Sequence, residues 1–236
     1  GIPVPKEGVA STAAAAAKLA SGMGYPVVLK IVSPDILHKT EAGGVLVGVK
    51  SAAEVKAGFA KILANAKKYN RKAQILGVQV QQMVGGGQEV IVGAVTDPSF
   101  GKLVAFGLGG VLVEVMKDIT FRLAPATKDD ALSMLDGIAA AEMLKGVRGA
   151  DPVNRTALAA VIRNVSQLVA DFPEIAEMDL NPVFASKAGA IAADVRIVLD
   201  FDQPPPRYRP KHDDIVRDMN RIMKPESVAV IGASGE

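Results

Sequence analysis

The sequence contains no cysteine and only two histidines in 236 residues. Lack of cysteine excludes disulfides, thiolate metal sites and a cysteine nucleophile, and it fits a reducing compartment. Long apolar runs are missing too: none approaches the roughly 20 residues that a membrane-crossing helix needs. The first residues show no basic patch followed by an apolar stretch, so no signal peptide is visible. An excess of one charge is also lacking. The 27 basic residues are scattered among 25 acidic ones, and the net +2 argues against a nucleic-acid partner.

What is present is an ordinary globular balance, 49% hydrophobic and 22% charged, which can bury a sizeable core. The length suits one domain of two lobes or two small domains. The chain starts without methionine and stops on Ser234-Gly235-Glu236 just after an apolar run. It therefore reads as a piece of a longer protein, expected to be cytoplasmic.

Local patterns give a sequence of short elements. Gly1–Val9 reads as extended. Ser11 is the expected N-cap of an alanine-rich helix over 12–20, stopped by Gly22 and Gly24. Two apolar runs, 27–31 and 45–49, read as strands around a polar loop. Ser51 is expected to cap a helix over 52–68 with Val55, Phe59, Ile62 and Leu63 on one face. The stretch 75–84 alternates as a half-buried strand should, with Val78 and Val80 opposite Gln79 and Gln81. Gly85-Gly86-Gly87 marks a break, either a hairpin tip or a hinge between lobes. Strands are expected over 89–95, 103–106 and 111–115, and helices after Thr127 and over 155–170. Asp129 and Asp130 lie in a first turn, where carboxylates suit the helix dipole. Strands over 175–180 and 190–195 complete the compact part. Asp202–Pro210 then holds four prolines and reads as an extended linker. A short segment over 211–224 is expected to be helical.

Three constellations carry possible chemistry. The first is the loop His38-Lys39-Thr40-Glu41 leading into Gly43 and Gly44. Glycine N–H groups can approach a phosphate closely and a lysine supplies counter-charge, so the loop reads as a phosphate cradle or as a plain hairpin turn. Lys30, ending the strand before it, lies on a solvated face or reaches phosphate oxygens. His38 is a surface histidine, a nucleophile or a general base. His212 has no such company and is left unassigned. The second constellation is Asp179-Leu180-Asn181-Pro182 with Asp194. Asp179 and Asn181 are two apart on a strand and share a face, and Asp194 lies on the next strand across a turn near Lys187–Gly189. These oxygen donors suit Mg²⁺ completed by substrate phosphates, or they only cap a strand end. Third, Glu89, Glu114 and Arg122 sit in apolar or glycine-rich settings, where a charge is either paired or put to use.

Taken together, GIPVP at 1–5, VVLK ending at Lys30, HKTEAGGV at 38–45, EVIVGAVTDPSFG at 89–101, FGLGGVLVEVMKDITFRLAP at 106–125 and DLNPV at 179–183 resemble the ATP-grasp domain of the NDP-forming acyl-CoA synthetases. That family includes ADP-forming acetyl-CoA synthetases and is related to succinyl-CoA synthetase β chains. The resemblance covers residues 1 to about 200. The tail PESVAVIGAS resembles the start of the CoA-binding, Rossmann-like domain of the same enzymes.

The resemblance implies an α+β ATP-grasp fold whose two α/β lobes, 1–83 and 84–200, clamp a nucleotide, with 201–236 a linker and truncated CoA-binding domain. It implies ATP or ADP with Mg²⁺, and CoA in the complete enzyme. By similarity, Lys30 and Lys39 contact phosphates, Gly43 and Gly44 cover them, the backbone of Gln82-Met83-Val84 meets adenine, and Glu89 lies near ribose. Asn181 and Asp194 are the implied Mg²⁺ ligands, with Asp179 where the family usually has a longer acidic residue. His38 is the implied second phosphoryl carrier. Partners are the CoA-binding and phosphohistidine domains, in the same or another chain, and the complete enzyme is expected to be an oligomer. A competing reading is a non-catalytic sensing domain of a protein acetyltransferase. Retention of Lys30, His38, Asn181 and Asp194 favours catalysis.

Overall fold

A computed structural model describes residues 1–36, 38–109, 118–147, 149, 151–202, 212–225 and 227. Residues 1–199 form one unit and 200–236 a second.

The first unit is built on two antiparallel sheets. Strands β1 (Glu7–Ala10), β2 (Val27–Val32), β3 (Val45–Val49) and β4 (Gly77–Gln82) form a four-stranded sheet in the order β1-β4-β2-β3. Helices α1 (Ala13–Met23) and α2 (Ala52–Tyr69) cover one of its faces, where Val27, Leu29, Ile31, Val78 and Val80 are buried against Ala16, Ala20, Val55, Phe59 and Ile62. The alternation is what a sheet covered on one face requires. Helix α1 is capped by Thr12, whose Oγ1 accepts from Ala15 N–H at 3.2 Å, rather than by Ser11 one residue earlier. The helix continues through Gly22, because one glycine costs only about 1 kcal/mol, and stops at Gly24, whose φ is 88°.

The larger sheet runs β10-β8-β5-β6-β7 from β5 (Gln88–Asp97), β6 (Gly101–Leu108), β7 (Ile119–Leu123), β8 (Ile175–Ser186) and β10 (Val195–Leu199), with β9 (Gly189–Ala192) pairing β8. Helices α3 (Lys128–Gly137) and α4 (Arg155–Asp171), with a 3-10 turn at Ala141–Lys145, cover one face. Phe106, Met134, Leu158, Ile162 and Leu180 are fully buried there. A capping box starts α3: Thr127 Oγ1 accepts from Asp130 N–H at 3.1 Å, and Asp130 Oδ2 accepts from Thr127 N–H at 2.9 Å. The hydrogen bonds from Thr127 hold the Asp130 carboxyl below its ordinary range.

One strand expectation changes. The segment 190–195 is two strands, because Ala193 and Asp194 leave the ladder between β9 and β10. Strand β7 has no counterpart in the sequence reading. The expected strand 111–115, with Glu114, lies outside the described residues.

The chain enters the fold on the second sheet before it builds the first. Ile2 packs on the larger core, Pro3 C=O accepts from Ala192 N–H at 2.9 Å, and Gly1 C=O accepts from Asn164 Nδ2 at 2.9 Å. The span 1–83 therefore begins with residues that pack beside the larger sheet. In the second unit, α5 (His212–Met223) carries Arg217 paired with Asp214 at 2.8 Å and Asp218 at 3.2 Å. Among the described residues no helix is long and apolar enough to cross a membrane.

Candidate functional site

The face of the small sheet that α1 and α2 leave open is polar. Lys30 pairs with Gln79 across β2 and β4, and Gln81 pairs with Glu7 across β4 and β1, so these four side chains share that face. Lys30 is nevertheless only 8% exposed and Gln81 only 5%, because residues from the larger sheet cover them. Lys30 Nζ donates to the carbonyl of Ala193 at 3.1 Å and lies 3.4 Å from Asp194 Oδ2. Gln81 Nε2 donates to the same carbonyl at 3.1 Å. A solvated-face lysine is thus excluded, and the half-buried strand expected at 75–84 has its second glutamine buried.

The larger sheet supplies the other wall. Val90 and Val92 of β5 face Val183 and Leu180 of β8, so β8 carries one extra residue near Asn181–Pro182. This is a β-bulge, a device that re-aims side chains. Before it Met178 and Leu180 are buried, and after it Val183 and Ala185, so the buried face changes phase at the bulge. Asn181 is exposed there. Its N–H donates to the Asp194 carbonyl at 3.3 Å, and the Asp194 Oδ1 accepts from Val195 N–H at 3.0 Å. Asp179, opposite Arg196 in the ladder, is half-buried. Desolvation pushes its carboxyl above the ordinary value and Asp194 adds to the rise, while Arg196 opposes it.

The loop after Lys30 is ordered by its own backbone. Ala42 N–H donates to His38 C=O at 3.1 Å, Gly43 N–H to Thr40 C=O at 3.0 Å, and Gly44 N–H to Lys39 C=O at 2.8 Å. The glycine N–H groups are therefore spent inside the turn, which corrects the expectation of bare donors facing a phosphate. The glycines serve close packing instead. A Cβ on Gly44 would lie 2.5 Å from Ile31 Cγ2, and Gly43, at φ 60°, would meet Asn65 Nδ2 at 2.8 Å. Asn65 also donates to Gly43 C=O at 2.9 Å, tying the loop to α2. Lys39 is half-buried. His38 is 72% exposed, its Nδ1 3.9 Å from Glu41 Oε1.

At the end of β4, Gln82 N–H donates to Lys6 C=O at 2.8 Å and Met83 N–H to Pro26 C=O at 3.3 Å. Both amides are occupied; Val84 N–H makes no hydrogen bond among the described residues. Glu89 is exposed at the start of β5, and its carbonyl accepts from Gly109 N–H at 2.8 Å. Its charge is solvated rather than buried. Arg122 donates to Ser133 Oγ at 2.9 Å and to Phe121 C=O at 2.8 Å, a structural tie between β7 and α3.

Lys30, Asn181 and Asp194 are thus brought to one junction of the two sheets, with Asp179 two residues along the same strand. Among the described residues no group of three or more His, Asp or Glu side chains could by itself hold a metal. The donor set is two carboxylates and one amide, all hard oxygen. That fits Mg²⁺, which binds through one or two carboxylates and keeps water or substrate oxygens for the rest. Sequence reading missed Gln81 and Glu7. The signal was visible as two glutamines alternating with valines, but nothing local said that the second would be buried.

This arrangement, two α/β layers meeting at a lysine on one sheet and oxygen donors on the other, defines a two-lobed clamp. A family model described as ATP-grasp domain matches residues 1–199. The β subunit of Pyrococcus furiosus acetate–CoA ligase (ADP-forming) I is 49% identical over 84% of this chain and 86% of that one. The 4-hydroxybutyrate–CoA ligase (ADP-forming) of Nitrosopumilus maritimus is 48% identical over 84% of this chain, which spans 29% of that longer protein. Among solved structures, an acetyl-coenzyme A synthetase of Ca. Korarchaeum cryptofilum, in complex with coenzyme A and Ca-AMPCP, superposes with a TM-score of 0.83 at 42% identity, covering 85% of this chain and 87% of that one. A further structure of that synthetase holds coenzyme A and Mg-AMPPCP, with a phosphohistidine segment pointing towards the nucleotide-binding site, at a TM-score of 0.75 and 39% identity over 85% and 86%. The chain belongs to the ATP-grasp family, as a homologue of the ATP-grasp part of ADP-forming acetyl-CoA synthetases, and is related to succinyl-CoA synthetase β chains.

Proposed function

We propose that this module binds ATP or ADP with Mg²⁺ between its two lobes and passes a phosphoryl group between the nucleotide and a phosphohistidine. It does so as the ATP-grasp part of an ADP-forming acid–CoA ligase. The observation that carries the reading is the meeting of Lys30 with Ala193 and Asp194, 3.1 and 3.4 Å away across the two sheets, beside Asn181. A buried lysine opposed to a hard-oxygen donor set is the pairing that a phosphate and its cation need.

Lys30 contacts the phosphate oxygens, and its ammonium offsets the negative charge of the phosphoryl group in transfer. Asn181 and Asp194 hold the Mg²⁺, which supplies charge neutralisation of the phosphates when bound. Asp179, two residues before Asn181 on the same strand, borders the site as the third oxygen donor of the set. The chain at Gln82-Met83-Val84 meets adenine through its carbonyls and the Val84 N–H, and Glu89 lies near ribose. Lys39, Gly43 and Gly44 cover the phosphates through side chain and loop movement, since the glycine amides are engaged in the turn.

In the direction of ATP synthesis, the N–P bond of the phosphohistidine breaks and a terminal oxygen of ADP forms the new O–P bond. His38, exposed on its loop, is a second carrier between them: its imidazole nitrogen takes the phosphoryl group as the N–P bond of the phosphohistidine breaks, and its own N–P bond breaks as the ADP oxygen takes the group. CoA and the acid react elsewhere: the tail from Pro225 resembles the start of a CoA-binding domain, and the phosphohistidine domain belongs to the same or a partner chain. The complete enzyme is a cytoplasmic oligomer. Calorimetry of ADP binding to this chain with and without Mg²⁺ tests the reading. Metal-enhanced binding that Asn181→Ala removes is the expected result. Absence of binding, or binding indifferent to Asn181→Ala, overturns it.

A further inference from the structure

We propose that Gln81, oriented by Glu7, is a positioning residue of this site: it fixes the Ala193 carbonyl and keeps Asp194 aimed at the metal while Lys30 turns to phosphate. The inference rests on the nucleotide-site reading above and concerns residues that reading does not use.

The peptide on either side of Ala193 is held at every polar atom the site depends on. Ala193 N–H donates to Pro182 C=O at 3.0 Å, and Ala193 C=O accepts from both Lys30 Nζ and Gln81 Nε2, each at 3.1 Å. A carbonyl has two lone pairs, so this one is fully used. The two donors are not equivalent. Lys30 is a mobile cation that a phosphate attracts; Gln81 is a neutral amide, 5% exposed, with no reason to leave. When Lys30 turns over, Gln81 alone retains the Ala193 carbonyl. Asp194 then keeps its place in the chain, opposite Asn181.

Glu7 makes the amide dependable. Its Oε2 accepts from Gln81 Nε2 at 2.9 Å and from Gln79 Nε2 at 2.7 Å. Both hydrogens of Gln81 Nε2 are thus assigned, one to Glu7 and one to Ala193. Both partners can only accept, which fixes which end of the amide is nitrogen. A carboxylate acceptor strengthens the bond that sets this orientation. The line Glu7–Gln81–Ala193 therefore runs from the edge of the small sheet to the metal side of the junction.

The experiment measures ADP binding by calorimetry in Mn²⁺ and in EDTA, with thermal unfolding alongside. Gln81→Met keeps length and volume while removing the amide. It is expected to weaken Mn²⁺-dependent ADP binding about tenfold, as loss of one buried hydrogen bond implies, and to leave binding in EDTA within about twofold. Glu7 is exposed, so Glu7→Leu tests the same line without burying a change. It is expected to weaken the Mn²⁺-dependent part about threefold, and Glu7→Gln, which still offers an oxygen, to restore it. An unchanged Mn²⁺-dependent part in Glu7→Leu and Gln81→Met overturns the proposal. So does an equal loss in Mn²⁺ and EDTA, the mark of a merely structural residue. If Gln81→Met does not fold, the Glu7 pair decides. Wild-type chain without Mn²⁺-enhanced binding brings down the nucleotide-site reading and this proposal with it. Wild-type binding lost in Asn181→Ala but kept in Gln81→Met and Glu7→Leu overturns the positioning role alone.

Discussion

The junction at Lys30 and the loop at His38 are eight residues apart in sequence and are built in opposite ways. Lys30 is buried, and its partners Ala193 and Asp194 come from the far end of the unit, 163 residues away in the case of Ala193. His38 is exposed, and the loop that carries it is closed by bonds among residues 38–44. Binding groups are gathered by contacts distant in sequence, so their meeting depends on both sheets being in place. A carrier has to travel, and an exposed imidazole at the free end of a loop that α2 holds further along, at Gly43, can do so.

Substitutions separate the two designs. The largest effect on stability is expected from Gly44→Ala, because its Cβ would meet Ile31 at 2.5 Å and Lys39 C=O at 3.0 Å. Overpacking of this kind costs about 1–3 kcal/mol, read by denaturant unfolding. Asp194→Ala comes next. It leaves the Lys30 ammonium with the Ala193 carbonyl as its partner, and since Asp194 is 45% exposed the loss is about 1–2 kcal/mol rather than the full value for a buried pair. Asp179→Asn is expected to act in the opposite direction. Burial raises the Asp179 carboxyl in the folded chain, so the stability it contributes is present below the ordinary value of 3.8 and is lost as pH rises through the folded value. At neutral pH the neutral amide should therefore melt higher than the wild type. At pH 3 that advantage should disappear. His38→Ala should leave stability within about 0.5 kcal/mol, as for exposed positions generally. It should nonetheless abolish labelling of that residue when the complete synthetase is incubated with γ-labelled ATP; a fall of several kcal/mol would show that the loop is less independent than the comparison holds.

The same contrast explains what the sequence made legible. The individual strands and helices follow from hydrophobic alternation and helix caps, and Ser51 and Thr127 cap where local spacing places them, whereas the pairing of lobes came from the resemblance. The ordered motifs around Lys30, Asn181 and Asp194 were legible by resemblance, and the structure brings those three together. Burial of Gln81 was not legible, because a glutamine alternating with valines reads as solvent-facing until a second sheet is known to cover it. The shift of face at Asn181 escaped notice for a related reason: a bulge is defined by the partner strand, and one strand alone does not show the extra residue. The glycine amides were misjudged on local grounds, since the carbonyls of Lys39 and Thr40 claim them first.

The chain's first residues lie beside the larger sheet, β1 belongs to the small one, and Gln82 returns the chain towards β5, with Gln82 N–H bonded to Lys6 C=O at 2.8 Å where the two crossings run side by side. Two laced connectors act as the spine of a book. The Gln82–Lys6 bond ties the two threads where they cross, so the pages that carry Lys30 and Asp194 are bound along one edge. A protease cut in the Gly85–Gly87 connector would leave the volume bound by its other thread.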